Sequence, residues 1–455
     1  MNNVRFDESL PVLVKAVVDL FSEQTMTEGL VLRDTTGRLA FFFNTVVPEA
    51  DVEKLSARLR ADLCAYARTD RVAASFSDYG VAALFSETPL IVNVLTISVK
   101  VIDRRLVGAD WLRSPEMPAA PPSRFVFASL KGGVGRTTAL AVVAADLAAQ
   151  GKRVLTIDLD MEAPGLGAVL LDSGTTPDFG MIDALVESGL SGLDDEFMAD
   201  MVGPSALAAR HGKIDVIPAF GRRSLNNPGD VLSKIARAYA EKINEDGTTS
   251  TILDEVKALV DYFSDLTRYD VILIDARAGL HETTASAILG LGAHVLLFGL
   301  DEPQTFQGYA ALLSHLSRIS RAGEGSLQWL NSISMVQGKA PDDVFERMSF
   351  AESCEELFIS SGLISRPEAL SAEVPIPAGP FNDVPWEDES EVEEVEVEDD
   401  IKAIDITYVL HDDQFRLFNP NARKDLLSLP VYTKAYEAIL KKIETVMLND
   451  VGGVV

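Results

Sequence analysis

Cysteine is almost absent from the 455 residues: only Cys64 and Cys354 occur. Two cysteines build neither a disulfide framework nor a thiolate zinc site, and they fit a reducing compartment. Histidine is sparse as well. The five, at 211, 281, 294, 315 and 411, share no ligand spacing, which argues against a protein-metal cage. There is no run of 18 or more uncharged apolar residues, so no membrane-spanning helix is expected. The opening MNNVRFDESL carries acids where a secretory signal would carry bases, and a cytoplasmic location is expected. Bases are few against acids, 40 against 69, for a net charge of −29. Such a field repels phosphate backbones and anionic lipid, which disfavours nucleic acid as a partner and stable membrane insertion. Apolar residues nonetheless reach 47%, an ordinary globular share, and the length suits two to three domains.

Residues 1–113 read as a small α+β domain. Pro11–Ser22 has helical apolar spacing, and two apolar runs, 29–34 and 38–44, flank a Thr-Thr-Gly turn. Residues 50–67 read as an amphipathic helix with Leu55, Leu59, Leu63 and Tyr66 on one face, and 91–102 is rich in β-formers. With no nucleophile, metal cluster or phosphate loop, this region is expected to be an interaction or regulatory module. Residues 114–122 hold four prolines in nine positions and read as a stiff, extended linker.

From Ser123 onward, strand-length apolar runs alternate with helical segments. Runs at 124–129, 153–158, 214–218, 271–275, 294–300, 329–336 and 404–410 predict a mostly parallel, doubly wound α/β sheet. A single α/β domain is expected over 123–374 and 402–450. It is interrupted at 375–401 by a Pro/Gly-rich stretch and then an acidic one, whose Trp386–Asp400 has ten acids in fifteen residues. That insertion reads either as a solvated, disordered segment or as an acidic element for a basic partner. The last helical pattern, Val431–Met447, reads as a helix docked on the sheet or as a membrane-surface helix; its polar face mixes Glu437 and Glu444 with Lys434, Lys441 and Lys442.

Between the first of these strands and the following helix stands Lys131-Gly-Gly-Val-Gly-Arg-Thr-Thr138. Gly132, Gly133 and Gly135 let backbone N–H groups, with that of Val134, turn toward one anion, and the helix adds its own free N–H groups and dipole. Arg136 supplies a cation, Thr137 a hydroxyl placed for Mg²⁺, and Thr138 a cap or a contact to the α-phosphate. A phosphate-bearing ligand with Mg²⁺ is expected. Asp158 and Asp160, about twenty residues beyond the loop, either serve the phosphates or merely cap the next turn.

KGGVGRTT resembles the deviant Walker A loop KGGVGKTT of the ParA/MinD family of ATPases. Ile157-Asp-Leu-Asp160 is similar to that family's first switch. Ile214–Ala219 resembles its following strand, and Tyr269–Asp275 its Walker B strand. Ala276–Thr283 falls at the second switch, and Val409–Asp413 where the family has an adenine-side loop. The resemblance covers about 123–350 and resumes near 402–447. It implies a P-loop NTPase fold and an ATP-dependent homodimer. Lys131 would reach the partner's phosphates, Asp160 would orient the attacking water, and Asp158 and Asp275 would serve Mg²⁺ through water.

Two departures stand out. Arg136 replaces the loop's second lysine with a planar fork, so binding should survive better than turnover. Arg277 stands where many relatives have proline, and reads as an internal arginine finger or as the partner of a switch acid. His281 is a candidate base or a loop histidine, and Asn331, Gln337 and Asp412 are candidates for the adenine side. The functional expectation is a slow, ParA/MinD-like ATPase acting as a dimerisation switch. A protein partner would be held through residues 1–113 or the acidic insertion. The alternative is a nucleotide-gated scaffold subunit with little turnover.

Overall fold

The computed structural model of the chain describes residues 4–190, 192–208, 211–243, 247–320, 327–364 and 404–452; the insertion 375–401 lies outside them. The N-terminal region runs α1 (Phe6–Leu20), α2 (Glu23–Glu28), β1 (Leu30–Arg33), β2 (Leu39–Phe42), α3 (Glu49–Leu63), β3 (Ala73–Ala74), α4 (Val81–Phe85), β4 (Leu90–Val94) and β5 (Ile97–Asp103). Its own five-stranded sheet has the order β3-β2-β1-β5-β4. The expected hairpin forms between β1 and β2. Asp34 Oδ1 accepts from the Thr36 and Arg38 N–H groups and Gly37 takes φ 88°, the backbone shape that closes this turn. Leu13, Val14 and Val17 of α1 meet Leu55, Leu59 and Leu63 of α3 over Phe41 and Phe43, so the helical spacing read from the sequence is the packed face.

The second sheet is the frame of the site. Its strands are β6 (Ser123–Ser129), β7 (Arg153–Asp158), β8 (Gly203–Pro204), β9 (Lys213–Ile217), β12 (Val271–Ala278), β13 (His294–Gly299), β14 (Ile333–Ala340) and β15 (Asp405–Leu410), with a small separate pair, β10 (Lys242–Ile243) and β11 (Thr249–Ser250). The order is β15-β14-β13-β6-β12-β7-β9-β8, parallel throughout except that β8 runs antiparallel to β9. Uninterrupted apolar strands such as Val271–Ile274 fit burial on both faces. One face is covered by α5 (Arg136–Ala149), α6 (Leu166–Leu170) and α15 (Leu429–Gly452). The other is covered by α7 (Met181–Glu187), α8 (Asp195–Ala199), α10 (Val231–Ala238), α11 (Ile252–Phe263), α12 (Glu282–Leu289), α13 (Pro303–Ser320) and α14 (Val344–Ser360); α9 (Arg222–Asn226) follows β9. The predicted α/β, doubly wound sheet with a small α+β region before it is therefore the architecture found.

One local reading changes and one alternative is decided. The run 329–336 begins as a 3-10 turn, and its strand starts only at Ile333. The last helix is docked: Tyr432, Tyr436, Ile439 and Ile443 are buried against α5 and the sheet, so its apolar stripe has a protein partner. No helix among the described residues is long and apolar enough to cross a membrane.

The linker is extended but not free. The Glu116 and Ala119 N–H groups donate to Leu289 and Gly292 carbonyls of the large domain. Just upstream, Trp111 is only 7% exposed and belongs to the large domain's core. Asp110 Oδ2 accepts from Leu253 N–H at the start of α11, and Arg113 forks onto Asp254. Glu282, first residue of α12, accepts the Gly108 N–H in return. Residues 108–113 form a strap that packs with the large domain, which shelters the Trp111 indole and the Asp110 carboxylate.

Candidate functional site

The strand order brings the candidate residues together. β12 lies between β6 and β7, and its parallel register sets Asp275 directly beside Asp158 of β7 and Phe127 of β6. The C-terminal ends of three adjacent strands therefore carry Ser129, Asp275 and Asp158 at the point where the chain's path across the sheet reverses. In such sheets that crevice is where ligands sit.

The loop after β6 has the conformation its glycines allow. Gly133 and Gly135 take φ 78° and 95°, left-handed values that cost an L residue about 1–2 kcal/mol. α5 starts at Arg136 with Gly135 as its cap, so the helix N-terminus faces the loop. Gly132, Gly133, Val134, Gly135, Thr137 and Thr138 line a cavity of about 380 Å³. Its far wall is Lys339, His411, Asp412, Phe415, Arg416 and Tyr436, from the ends of β14 and β15, the turn beyond, and α15. Lys339 holds φ 49°, a strained value for a non-glycine residue, at the rim. The preceding Gly338 lies so close to the loop that a Cβ there would stand 2.3 Å from the Val134 carbonyl oxygen.

Arg136 also lines this cavity, but not as a free cation. Its guanidinium is buried, with Nε donating to Asp275 Oδ1 at 2.5 Å, Nη1 to Ser129 Oγ at 3.0 Å and Nη2 to Asp160 Oδ2 at 3.4 Å. Thr137 Oγ1 donates to the other Asp275 oxygen at 2.6 Å. Asp158 is fully buried; it accepts from Asp160 N–H and from Gly165 and Leu166 N–H at the start of α6. Burial, and then the charge of Asp275, raises its carboxyl well above the usual carboxylate range. Burial also raises Asp160, against the pull of Arg136. Asp158 thus caps the turn and the start of α6, while Asp160 reaches both Ala163 N–H and the guanidinium.

Other candidates fall apart from the loop. Lys131 lies outside the loop's cavity and pairs with Glu302, which just precedes α13, at 2.8 Å. Arg277 donates to Glu162 at 2.9 Å, the switch-acid reading, and Tyr239 donates to the same oxygen at 2.6 Å. His281 stacks edge-on against Tyr239, with burial holding it below the usual imidazole range. Asp412 lines the cavity as expected. Asn331 does not: it lies at the opposite, N-terminal end of β14 in a separate cavity with His294 and Asp450. Gln337 is buried within β14 and lines neither. Phe415, Arg416, Tyr436, Lys339 and Glu302 were not expected. Tyr436 adjoins Tyr432 and Ala435 in the helical pattern of the last helix, which gives it no distinguishing signal. The described residues contain no group of three or more His, Cys, Asp or Glu side chains fit to hold a metal ion.

A parallel sheet whose central strand feeds a glycine loop and a helix N-terminus, with an aspartate on the adjacent strand, is the fold of a P-loop NTPase. Residues 124–329 match the family model described as AAA domain. Among solved structures the chain is similar to a ParA family ATPase from Chlorobium tepidum TLS, at 19% identity over 52% of this chain and 81% of that one, TM-score 0.34. It is also similar to the MinC:MinD cell division protein complex of Aquifex aeolicus, at 14% identity over 71% and 96%, TM-score 0.43. A third is the cell division ATPase MinD of Pyrococcus furiosus, at 16% over 74% and 100%, TM-score 0.42. Likenesses of this degree assign no ligand or partner. No curated protein matches the chain.

Proposed function

We propose that the chain binds ATP in the loop 131–138 and works as a nucleotide-controlled dimerisation switch whose hydrolysis is slow. The observation that carries this is the loop itself: a nest of backbone N–H groups at a helix N-terminus, opening on a 380 Å³ cavity walled by two aromatic rings. In this reading the N–H groups of Gly132–Thr138 hold the phosphates, and Phe415 and Tyr436 flank the base. Thr137, whose hydroxyl lies at the phosphate end of the cavity, would hold Mg²⁺, which supplies charge neutralisation to the phosphates when bound.

Lys131, held outside its own loop by Glu302, is the cation available to a partner's phosphates. Asp160 is the group that would orient water, and slow turnover follows because Arg136 is tied to it and to Asp275. The N-terminal region, and the acidic insertion 375–401, are the surfaces proposed for a protein partner. A stable ATP dimer with negligible turnover, the scaffold reading, is favoured by that same buried guanidinium.

Light scattering with saturating Mg²⁺-ATP tests the switch. Asp160→Ala should accumulate a dimer, because removing a water-positioning group slows chemistry and leaves binding intact. Lys131→Ala should bind ATP and stay monomeric. Wild type matching Asp160→Ala in dimer content, with no phosphate release, selects the scaffold. If all three stay monomeric, the dimer mechanism fails. Binding itself reads out as a thermal upshift with ATP that is lost in Thr137→Ala/Gly135→Val; no upshift in the wild type sinks the ATP reading.

A further inference from the structure

The acids at the switch end of β7 and β12 are fully engaged before any ligand arrives. Asp275 gives one oxygen to Arg136 Nε and the other to Thr137 Oγ1. Asp160 gives one to Arg136 Nη2 and the other to Ala163 N–H. Asp158 spends both on three backbone N–H groups. The cation among them is a guanidinium 8% exposed, against Asp275 at 1% and Asp160 at 7%.

We infer that Arg136 is a built-in counter-cation for these carboxylates, and that it takes over the charge balance that a divalent ion with acid-held waters would supply, so that ATP binding by this chain depends little on Mg²⁺. The inference rests on the reading that the loop 131–138 binds ATP.

Two physical points carry it. The first is immobility. A lysine ammonium is a point charge on a flexible stem, and it follows an incoming phosphate at small cost. A guanidinium is a fork that matches two carboxylates at once. Withdrawing it would leave Asp275 and Asp160 buried with no positive partner, the situation that makes breaking a buried ion pair so costly. Arg136 therefore stays on the carboxylates when the cavity fills. The second point is linkage. Mg²⁺ raises ATP affinity only as far as the bound nucleotide holds the ion more tightly than free nucleotide does. That excess comes from negative charge facing the ion. Here a fixed positive group touches both acids and shares one with the Thr137 hydroxyl, so the excess is small.

The test is titration of the full-length wild type with ATP, by calorimetry, in excess Mg²⁺ and in excess EDTA. The two dissociation constants should differ by less than about tenfold, the ratio that corresponds to 1.4 kcal/mol. In Arg136→Lys, whose ammonium can leave for the phosphates, removing the ion should weaken ATP by tenfold or more. A wild type that loses tenfold or more in EDTA overturns the inference, and so does an Arg136→Lys variant as indifferent to the ion as the wild type. Should that variant not fold, Mn²⁺ resonance on wild type decides alone. Mn²⁺ should bind the protein–ATP complex less than about tenfold more tightly than free ATP, and a larger excess overturns the inference. Absence of ATP binding in Mg²⁺ and EDTA alike counts against the ATP reading instead.

Discussion

Arg136 shows what a single position conceals. Its place in KGGVGRTT marks a cation next to phosphate, and the glycine spacing, the Thr pair and the strand–loop–helix context were all legible in the sequence. The guanidinium's destination was not, because Ser129, Asp160 and Asp275 meet it only through the register of three strands that are far apart in the chain. Gly338 was equally silent, since no motif marks a glycine whose Cβ would press on the loop from a neighbouring strand end. Gly338→Ala should therefore push the Val134 carbonyl aside and distort the nest. The expected loss is about tenfold in ATP affinity, near 1.4 kcal/mol, with the unfolding midpoint little changed. Calorimetric titration beside a denaturant melt checks it, and unaltered affinity would mean that the loop yields without cost.

Among the elements, the strap 108–113 departs most from expectation. Prolines after Arg113 pointed to a linker. The two-residue apolar pair Trp111-Leu112 carried no periodicity that could announce a docked side chain. Asp110 caps α11 while Glu282 of α12 accepts the strap's N–H at Gly108, so each partner terminates the other's loose backbone. A chain beginning at Ser123 would leave the groove on α11 and α12 uncovered. It should aggregate or melt well below a chain beginning at Arg104, as thermal scans of the two would show. In the full chain Trp111→Ala should cost about 3–5 kcal/mol in a urea melt, the usual loss for a buried aromatic. A loss under 1 kcal/mol, on the scale of an ordinary surface substitution, would show the indole to be dispensable.

At the scale of the whole molecule, acid should act partly through buried imidazoles. Burial lowers His281, His294 and His315 below the usual range. For His315, Arg105 and Arg318 lower it further, while the hydrogen bond to the Trp111 carbonyl at 2.6 Å raises it. A lowered folded value means that the unfolded chain takes up the proton first. Its contribution is complete above the unfolded value of about 6.5 and is lost as pH falls from there toward the folded value. The buried carboxyls Asp110, Asp146 and Glu282 are raised and act with the opposite sign, so the variant difference is the clean measure. Between pH 7 and pH 5.5 the urea midpoint of wild type should fall further than that of His315→Gln. Equal falls would clear His315.

The insertion of β12 between β6 and β7 also sets a timetable on the ribosome. Arg136 and Ser129 emerge about 140 residues before Asp275, and at about 5–20 residues per second that interval is roughly 7–28 s. Throughout it the nascent chain has two strands facing an empty slot and a guanidinium whose principal carboxylate has not yet been made. The arrangement around Arg136 thus waits until the middle of the chain has been made. An open strand edge waiting that long is a natural client for a chaperone that covers apolar segments during synthesis.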